Sequence, residues 1–313
     1  MTGKIVLARL LERLTHSIAR SSQAELRDQR NIEVFLVAAL RDSQVLTDIQ
    51  NPAGYIEFLR SCFERVAFTI KEAKVDSDKG DAAAKRFSTL IGTLKAGASP
   101  IDFQSAQRLA LAADRLGSLS QPVEREWEWA GDVGLHFRWV TSTLGRKGRL
   151  LSNIIRFSRT KRGLELGTAY GMSTMFMLEA MKSNGVAGRV ATLEAMEPQF
   201  SIASEVLKRE YGEMVSCHLG STRDGLPDLV RSLGRLDFLF HDAGHTREDY
   251  VSDFGTVEKA LVPGSVVLFD DIQMQDPFMK APARTYEGWM EVVGHPRVRC
   301  AVEIEGMGLL LLK

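Results

Sequence analysis

The strongest constraint on the fold lies after residue 160, where short apolar runs rich in strand-forming residues alternate with helix-length segments. Arg162–Leu166, Val190–Glu194, Val215–Leu219, Leu236–His241 and Ser265–Phe269 read as strands, with helices opening at Ser173, Pro198 and Thr246. Strands that are nearly continuously apolar are covered on both faces, and a strand–helix–strand succession closes as a parallel sheet. Thr246-Arg247-Glu248-Asp249 has the form of a capping box. The chain end breaks the pattern: Arg297–Glu303 and Leu309–Lys313 flank Gly306-Met307-Gly308, as in a closing antiparallel hairpin. The expected fold class is α/β, a Rossmann-like seven-stranded sheet with a closing antiparallel hairpin.

No strand pattern precedes residue 160. Leu7, Leu10, Leu11, Leu14 and Ile18 form one apolar stripe at helical spacing, and residues 24–41 and 53–73 continue in that style. Lys74–Lys85 is polar and glycine-containing and reads as a loop; Ser99-Pro100-Ile101-Asp102 starts a helix running to about Leu116. The chain thus divides into an all-helical N-terminal region, 1–120, and a second domain, 121–313. The helical region is a candidate dimerisation element, lid or substrate-docking module, and a homodimer is expected from it. Trp127 and Trp129 either line an acceptor pocket or pack between the regions.

Composition narrows the partners. The formal net charge is zero, with basic and acidic residues interleaved, so nucleic acid is not expected as a partner. Cys62, Cys217 and Cys300 are too few and too scattered for a disulfide framework or a metal-ligand spacing, which suits a reducing compartment. No apolar stretch reaches the length of a membrane span. The Arg-rich N-terminus reads as a structural helix rather than a transit peptide, and a cytoplasmic protein is expected.

Chemistry concentrates at the ends of the strands. Glu165-Leu166-Gly167-Thr168-Ala169-Tyr170-Gly171-Met172-Ser173 joins the first strand of the sheet to its helix. Its glycines stand four apart, after an acid, unlike the G-x-G-x-x-G of dinucleotide folds. They permit a sharp turn against a ligand, and the following helix offers free N–H groups. Glu194 ends the next strand, where a carboxylate can accept both hydroxyls of a ribose.

With these motifs, residues from about Leu144 onward, including Gly145-Arg-Lys-Gly-Arg-Leu-Leu, resemble class I S-adenosylmethionine-dependent methyltransferases, and among them the metal-dependent catechol and caffeoyl-CoA O-methyltransferases. The resemblance implies that Gly167, Tyr170, Gly171 and Ser173 hold the methionine part of the cofactor and Glu194 its ribose, that Gly220, Ser221 and Thr222 lie beside its adenine, and that Glu165 is a further cofactor-binding residue.

His241-Asp242-Ala243-Gly244-His245 and Phe269-Asp270-Asp271 end two further strands, so three carboxylates converge where ligands bind in a doubly wound sheet. Carboxylates crowded in a cleft repel, and a hard cation such as Mg2+, Mn2+ or Ca2+ relieves that cost. In the enzymes this chain resembles, acidic or amide residues at the positions of Asp242, Asp270 and Asp271 bind a divalent metal. Asp242 has a second reading, orienting the cofactor amine. His245 stands about where the catechol enzymes carry a lysine and is read as the general base, with two alternatives: a cap for the next helix, or a metal ligand. His241 reads as packed. The catechol enzymes' substrate-binding glutamate falls near Val302, with Glu303 beside it, so a catechol substrate is not implied. The reaction expected is methyl transfer from S-adenosylmethionine to a hydroxyl of a small-molecule acceptor. RNA or protein methylation by the same fold, or a non-catalytic cofactor-binding subunit, are the competing readings.

Overall fold

The computed structural model describes residue 49 and residues 52–63, 66–74, 81–124, 146–274 and 284–313. The stripe at residues 7–18, the segment 24–41 and both Trp127 and Trp129 lie outside the described residues. Through the C-terminal half the expected order holds: α4 (Arg146–Ser158), β2 (Arg162–Leu166), α5 (Met172–Ser183), β3 (Arg189–Glu194), α6 (Glu197–Tyr211), β4 (Val215–Leu219), α7 (Thr222–Leu233), β5 (Leu236–His241), α8 (Arg247–Val257), β6 (Leu261–Phe269), α9 (Thr285–Gly294), β7 (Val298–Ile304) and β8 (Met307–Leu312). The first part contributes α1 (Pro52–Phe63), β1 (Ile70–Lys74), α2 (Ala82–Ala96) and α3 (Phe103–Glu124).

The sheet runs β1-β7-β8-β6-β5-β2-β3-β4. The pairs among β2 to β6 are parallel, while β8 runs antiparallel to both β6 and β7 as the closing hairpin. Side chains alternate between two cores. Phe238 and Phe240 of β5 enter a core with α1 to α6, whereas Leu239 enters one with α7, α8 and α9. That two-sided burial is why the strands lack a polar face. Helix α5 is buried from Met172 to Met181, which explains its apolar run of methionines and phenylalanine.

Two differences from the sequence reading stand in the N-terminal region. It is not all helical: Ile70–Lys74, expected as the end of a helix and the first residue of a loop, forms an eighth strand antiparallel to β7. The segment IKEAK has little β-propensity, and its lysines and glutamate mark an edge strand. The main chain of β7 supplies the partner, a tertiary term that local sequence does not carry. Second, the expected loop ends earlier than Lys85, because Asp81 caps α2 by accepting from the N–H of Ala84 (2.8 Å), and Phe87, Leu90 and Leu94 are buried.

The N-terminal helices are tied to the sheet domain by charge as well as by packing. Arg108 and Ser105 of α3 both donate to Glu179 of α5, at 2.6 Å and 2.8 Å. Burial works against ionising Glu179, yet these two donors hold its carboxyl below the usual range. Among the described residues, no helix is long and apolar enough to cross a membrane.

Candidate active site

Parallel strands leave their open binding crevice where the strand order reverses, here between β2 and β5. The N–H of Gly167 donates to Leu193 O (2.9 Å) and that of Asp242 to Leu166 O (2.8 Å), so the two loops leave the sheet side by side. A Cβ at position 167 would stand 2.0 Å from the Asp242 carbonyl oxygen, and φ there is +88°, so only glycine fits. The cleft this creates has a volume of about 490 Å3 and is lined by residues 167–170, 172, 173, 193–195, 220–222, 242–245 and 271. Of the residues expected to bind cofactor, all but Glu165 and Gly171 line it.

Those two act from behind. Gly171 caps the N-terminus of α5 without a side-chain bond, and its Cβ-less approach lets α5 sit against Leu207. Glu165 is fully buried and accepts from the hydroxyls of Ser173 and Thr174 and from Thr192 Oγ1 (2.7 Å). Burial pushes its carboxyl up to about 7 against the pull of those hydroxyls. Glu194 stands at the tip of β3. One of its oxygens accepts from the N–H of Ala169 and the other from the N–H of Met196, each at 2.8 Å. Ser221 caps α7 through the N–H of Asp224, which places the Gly220–Thr222 turn at the cleft wall.

The opposite end of the cleft is acidic. One ligand atom from each of Asp242, His245 and Asp271 lies within 4.8 Å of the others. Burial, and then the charge of Asp270, raise the Asp242 carboxyl well above the usual carboxylate range, with Lys147 working the other way. Asp271 has φ of +51°, a left-handed conformation that aspartate tolerates better than most residues. Its Oδ2 stands 3.5 Å from His245 Nε2, and the imidazole, with Lys147 behind it, holds Asp271 below the usual range.

Asp270 is placed differently from its expected partners. It is 3% exposed, does not line the cleft, and takes Lys147 Nζ on Oδ2 (2.7 Å) and the N–H of Asp271 on Oδ1 (2.9 Å). Lys147, in the first turn of α4, is the residue that sequence reasoning missed. It sits 123 positions from Asp270, and its only signal is the Gly145–Leu151 stretch quoted for the resemblance. Thr174 and Thr192, which hold Glu165, were also missed; Thr174 directly follows the Glu165–Ser173 loop, and Thr192 lies on the neighbouring strand β3.

The remaining histidine readings separate cleanly. His245 does not cap α8: Thr246 and Asp249 form that capping box reciprocally. His241 is packed as expected, with rings of Tyr250 and Phe269 at 4.9 Å and 5.1 Å and Nε2 3.1 Å from Asp253. Glu303 commits its carboxylate to Tyr286 Oη (2.8 Å) and Lys71 (3.4 Å), and neither it nor Val302 lines the cleft.

Comparison with known proteins places this geometry. Residues 164–272 match a family described as a methyltransferase domain. A stretch of 128 residues, 40% of this chain, is 30% identical to the catechol O-methyltransferase of Niastella koreensis and spans 56% of that enzyme's length. Among solved structures, the O-methyltransferase TomG of Streptomyces achromogenes, in complex with S-adenosylmethionine, is 24% identical, with a TM-score of 0.50 over 64% of this chain and 90% of that one. The O-methyltransferase of Bacillus cereus, in complex with S-adenosylhomocysteine, is 23% identical, with a TM-score of 0.46 over 53% and 80%. The family match spans about a third of this chain, the stretch from β2 to just past β6, and the fold around it is shared with the S-adenosylmethionine-bound structure of TomG.

Proposed function

We propose that this chain transfers the methyl group of S-adenosylmethionine to a hydroxyl oxygen of a small acceptor, with a divalent cation at the acidic end of the cleft. The observation that carries the proposal is that one cleft joins two unlike ends: the Glu194 carboxylate at the tip of β3, and the Asp242–His245–Asp271 group. The likeness to catechol O-methyltransferase over 128 residues supports oxygen as the accepting atom.

The residues divide the task. The turn after β2 and the free N–H groups heading α5 receive the carboxylate of the methionine part. Glu194, already fixed by two backbone N–H groups, presents its remaining lone pairs to the ribose hydroxyls. Asp242 borders both ends and can meet the cofactor's ammonium from the acceptor side. Methyl transfer is a displacement on a sulfonium carbon, so holding the oxygen in line with the methyl group supplies much of the rate enhancement.

The acidic end fits a cation on its own chemistry. Burial, and then the charge of Asp270, work against the ionised form of Asp242, and Asp271 lies beside it on the cleft wall. A bound divalent ion would lower the pKa of the acceptor hydroxyl and fix its oxygen. The hydroxyl proton passes to His245, whose Nε2 is shut from solvent with no hydrogen-bond partner.

We further infer that the acceptor is a small molecule, and that the N-terminal region supports a homodimer, which sedimentation of the full chain checks. The decisive experiment for the function is binding followed by turnover. S-adenosylhomocysteine should raise the melting temperature and NAD should not. Methyl transfer to a panel of small hydroxyl compounds should then stop in excess EDTA and return with added Mn2+. Thermal stabilisation by NAD in place of the adenosyl ligand would sink the proposal.

A further inference from the structure

We propose that the sheet carries a second binding cleft at the opposite ends of its strands, where Lys161, Arg162 and Arg189 receive the phosphate group of a small molecule with an apolar body. The inference does not rest on the methyl-transfer reading.

The cleft lies where β2, β3 and β4 begin, beside the C-terminal end of α7. Its volume is about 580 Å3, room for a small organic ligand. It shares no lining residue with the cleft of Glu194 and Asp242. The strand starts are fixed by the protein itself. The N–H of Arg189 donates to Lys161 O (2.8 Å). Asp237 takes the N–H of Lys161 on one carboxylate oxygen and that of Arg162 on the other, each at 3.0 Å.

That order puts like charges together. Arg162 and Arg189 are register partners in the parallel pair of β2 and β3, so their side chains leave one face of the sheet from backbones about 4.8 Å apart. Like charges opposite one another on neighbouring strands weaken a sheet. Arginines elsewhere, such as Arg209, Arg247 and Arg284, close on a nearby carboxylate. Among the described residues, the side chains of Lys161, Arg162 and Arg189 make no hydrogen bond or ion pair. Asp237 feels the charges of Lys161 and Arg162 but stands off the cleft wall. Glu213 is on the wall, one carboxylate against three cations.

The donors indicate the ligand. A guanidinium offers paired N–H groups that match the oxygens of a phosphate, and two of them with an ammonium suit a dianion better than a single carboxylate. Ala187, Ala191, Val215, Leu233 and Leu236 add apolar wall, which gives a hydrocarbon or aromatic body a place to bury. A long polyanion is not favoured, because the chain as a whole carries no net charge.

Phenyl phosphate is the probe, with inorganic phosphate and phenol as its two halves, each titrated calorimetrically into the full-length chain. Phenyl phosphate should bind more tightly than inorganic phosphate, and phenol should not bind. Arg162→Gln and Arg189→Gln should each weaken phenyl phosphate by about tenfold or more, the equivalent of one lost charged hydrogen bond. Both arginines are exposed, so the variants should melt as the wild type does. Lys85→Gln, which removes an exposed charge from α2, should leave the affinity unchanged. Saturating S-adenosylhomocysteine should leave it unchanged too. Absence of binding at millimolar phenyl phosphate overturns the proposal, as does equal affinity in the wild type and both arginine variants. Displacement by S-adenosylhomocysteine would move the ligand to the other cleft, and an equal loss in Lys85→Gln would reduce the effect to general charge attraction; either result also overturns it. Inorganic phosphate binding as tightly as phenyl phosphate overturns the role given to the apolar wall. None of these outcomes bears on methyl transfer.

Discussion

The two ends of the cleft contain carboxylates in opposite conditions. At the end formed by β2 and β3, Glu165 is encased by three hydroxyl donors and Glu194 by two backbone N–H groups. At the acidic end, Asp242 has no such donor among the described residues, and Asp271 has only the flanking His245 and Lys147. The first arrangement is finished by the protein and shaped before any ligand arrives, so a ligand there meets fixed partners and costs little reorganisation. The second crowds carboxylates together, with Lys147 as the cation that offsets part of their repulsion. The contrast separates residues that build the pocket from those that wait for its contents.

The largest effect should come from the unfinished end. Asp242→Ala should reduce turnover by about a thousandfold, since the charge stabilisation at stake is several kcal/mol. Steady-state kinetics in saturating Mn2+ would measure it. Turnover within tenfold of wild type would erase the contrast between the two ends.

Glu165 sharpens the contrast through pH. Its carboxyl sits at about 7 in the folded chain against an ordinary 4.5. The folded state therefore binds the extra proton between those values. The stability this contributes is full below about 4.5 and is lost as pH rises through about 7. Glu165→Gln should flatten that fall, leaving the variant more stable than wild type at pH 8 by up to about 3 kcal/mol. Urea unfolding at pH 5 and pH 8 gives the difference; identical slopes in the two proteins would show that Glu165 ionises normally.

Glu194→Ala should weaken S-adenosylhomocysteine binding by about 1–3 kcal/mol, the cost of a lost charged hydrogen bond. Mn2+ affinity should be unchanged, because Glu194 belongs to the other end. If both fall together in calorimetry, the ends are not separable. The smallest change should follow Thr246→Ala, which removes the cap of α8 and costs about 1 kcal/mol in thermal unfolding while sparing cofactor binding.

Most of the sheet domain was legible in the sequence because its signals are local. β2, β4 and β5 begin and end where their apolar runs do, and the Thr246–Asp249 box announces α8 four residues before its first buried side chain. Glu194 could be found because strand ends in this topology fall at the ligand crevice. What stayed hidden depends on distant partners. β1 is a strand only because β7 runs beside it. Asp270 looked equivalent to Asp271 because neighbours on a chain share a sequence context. Their side chains take different surroundings, and Lys147, which divides them, comes from another helix.

The eighth strand bears on how far this protein is modular. The change of texture near residue 160 invites a cut between a helical attachment and a self-sufficient catalytic unit. The structure does not divide there. Removing residues 1–120 would take β1 from β7 and bare a main-chain edge able to pair with another molecule. The same cut would take Arg108 and Ser105 from Glu179 and open to water the face of α5 that α3 covers. The sheet domain thus inherits an obligation to its own preceding segment. In descent or in engineering, the segment around β1 and α3 and the sheet it completes should be exchanged as one unit rather than cut after α3.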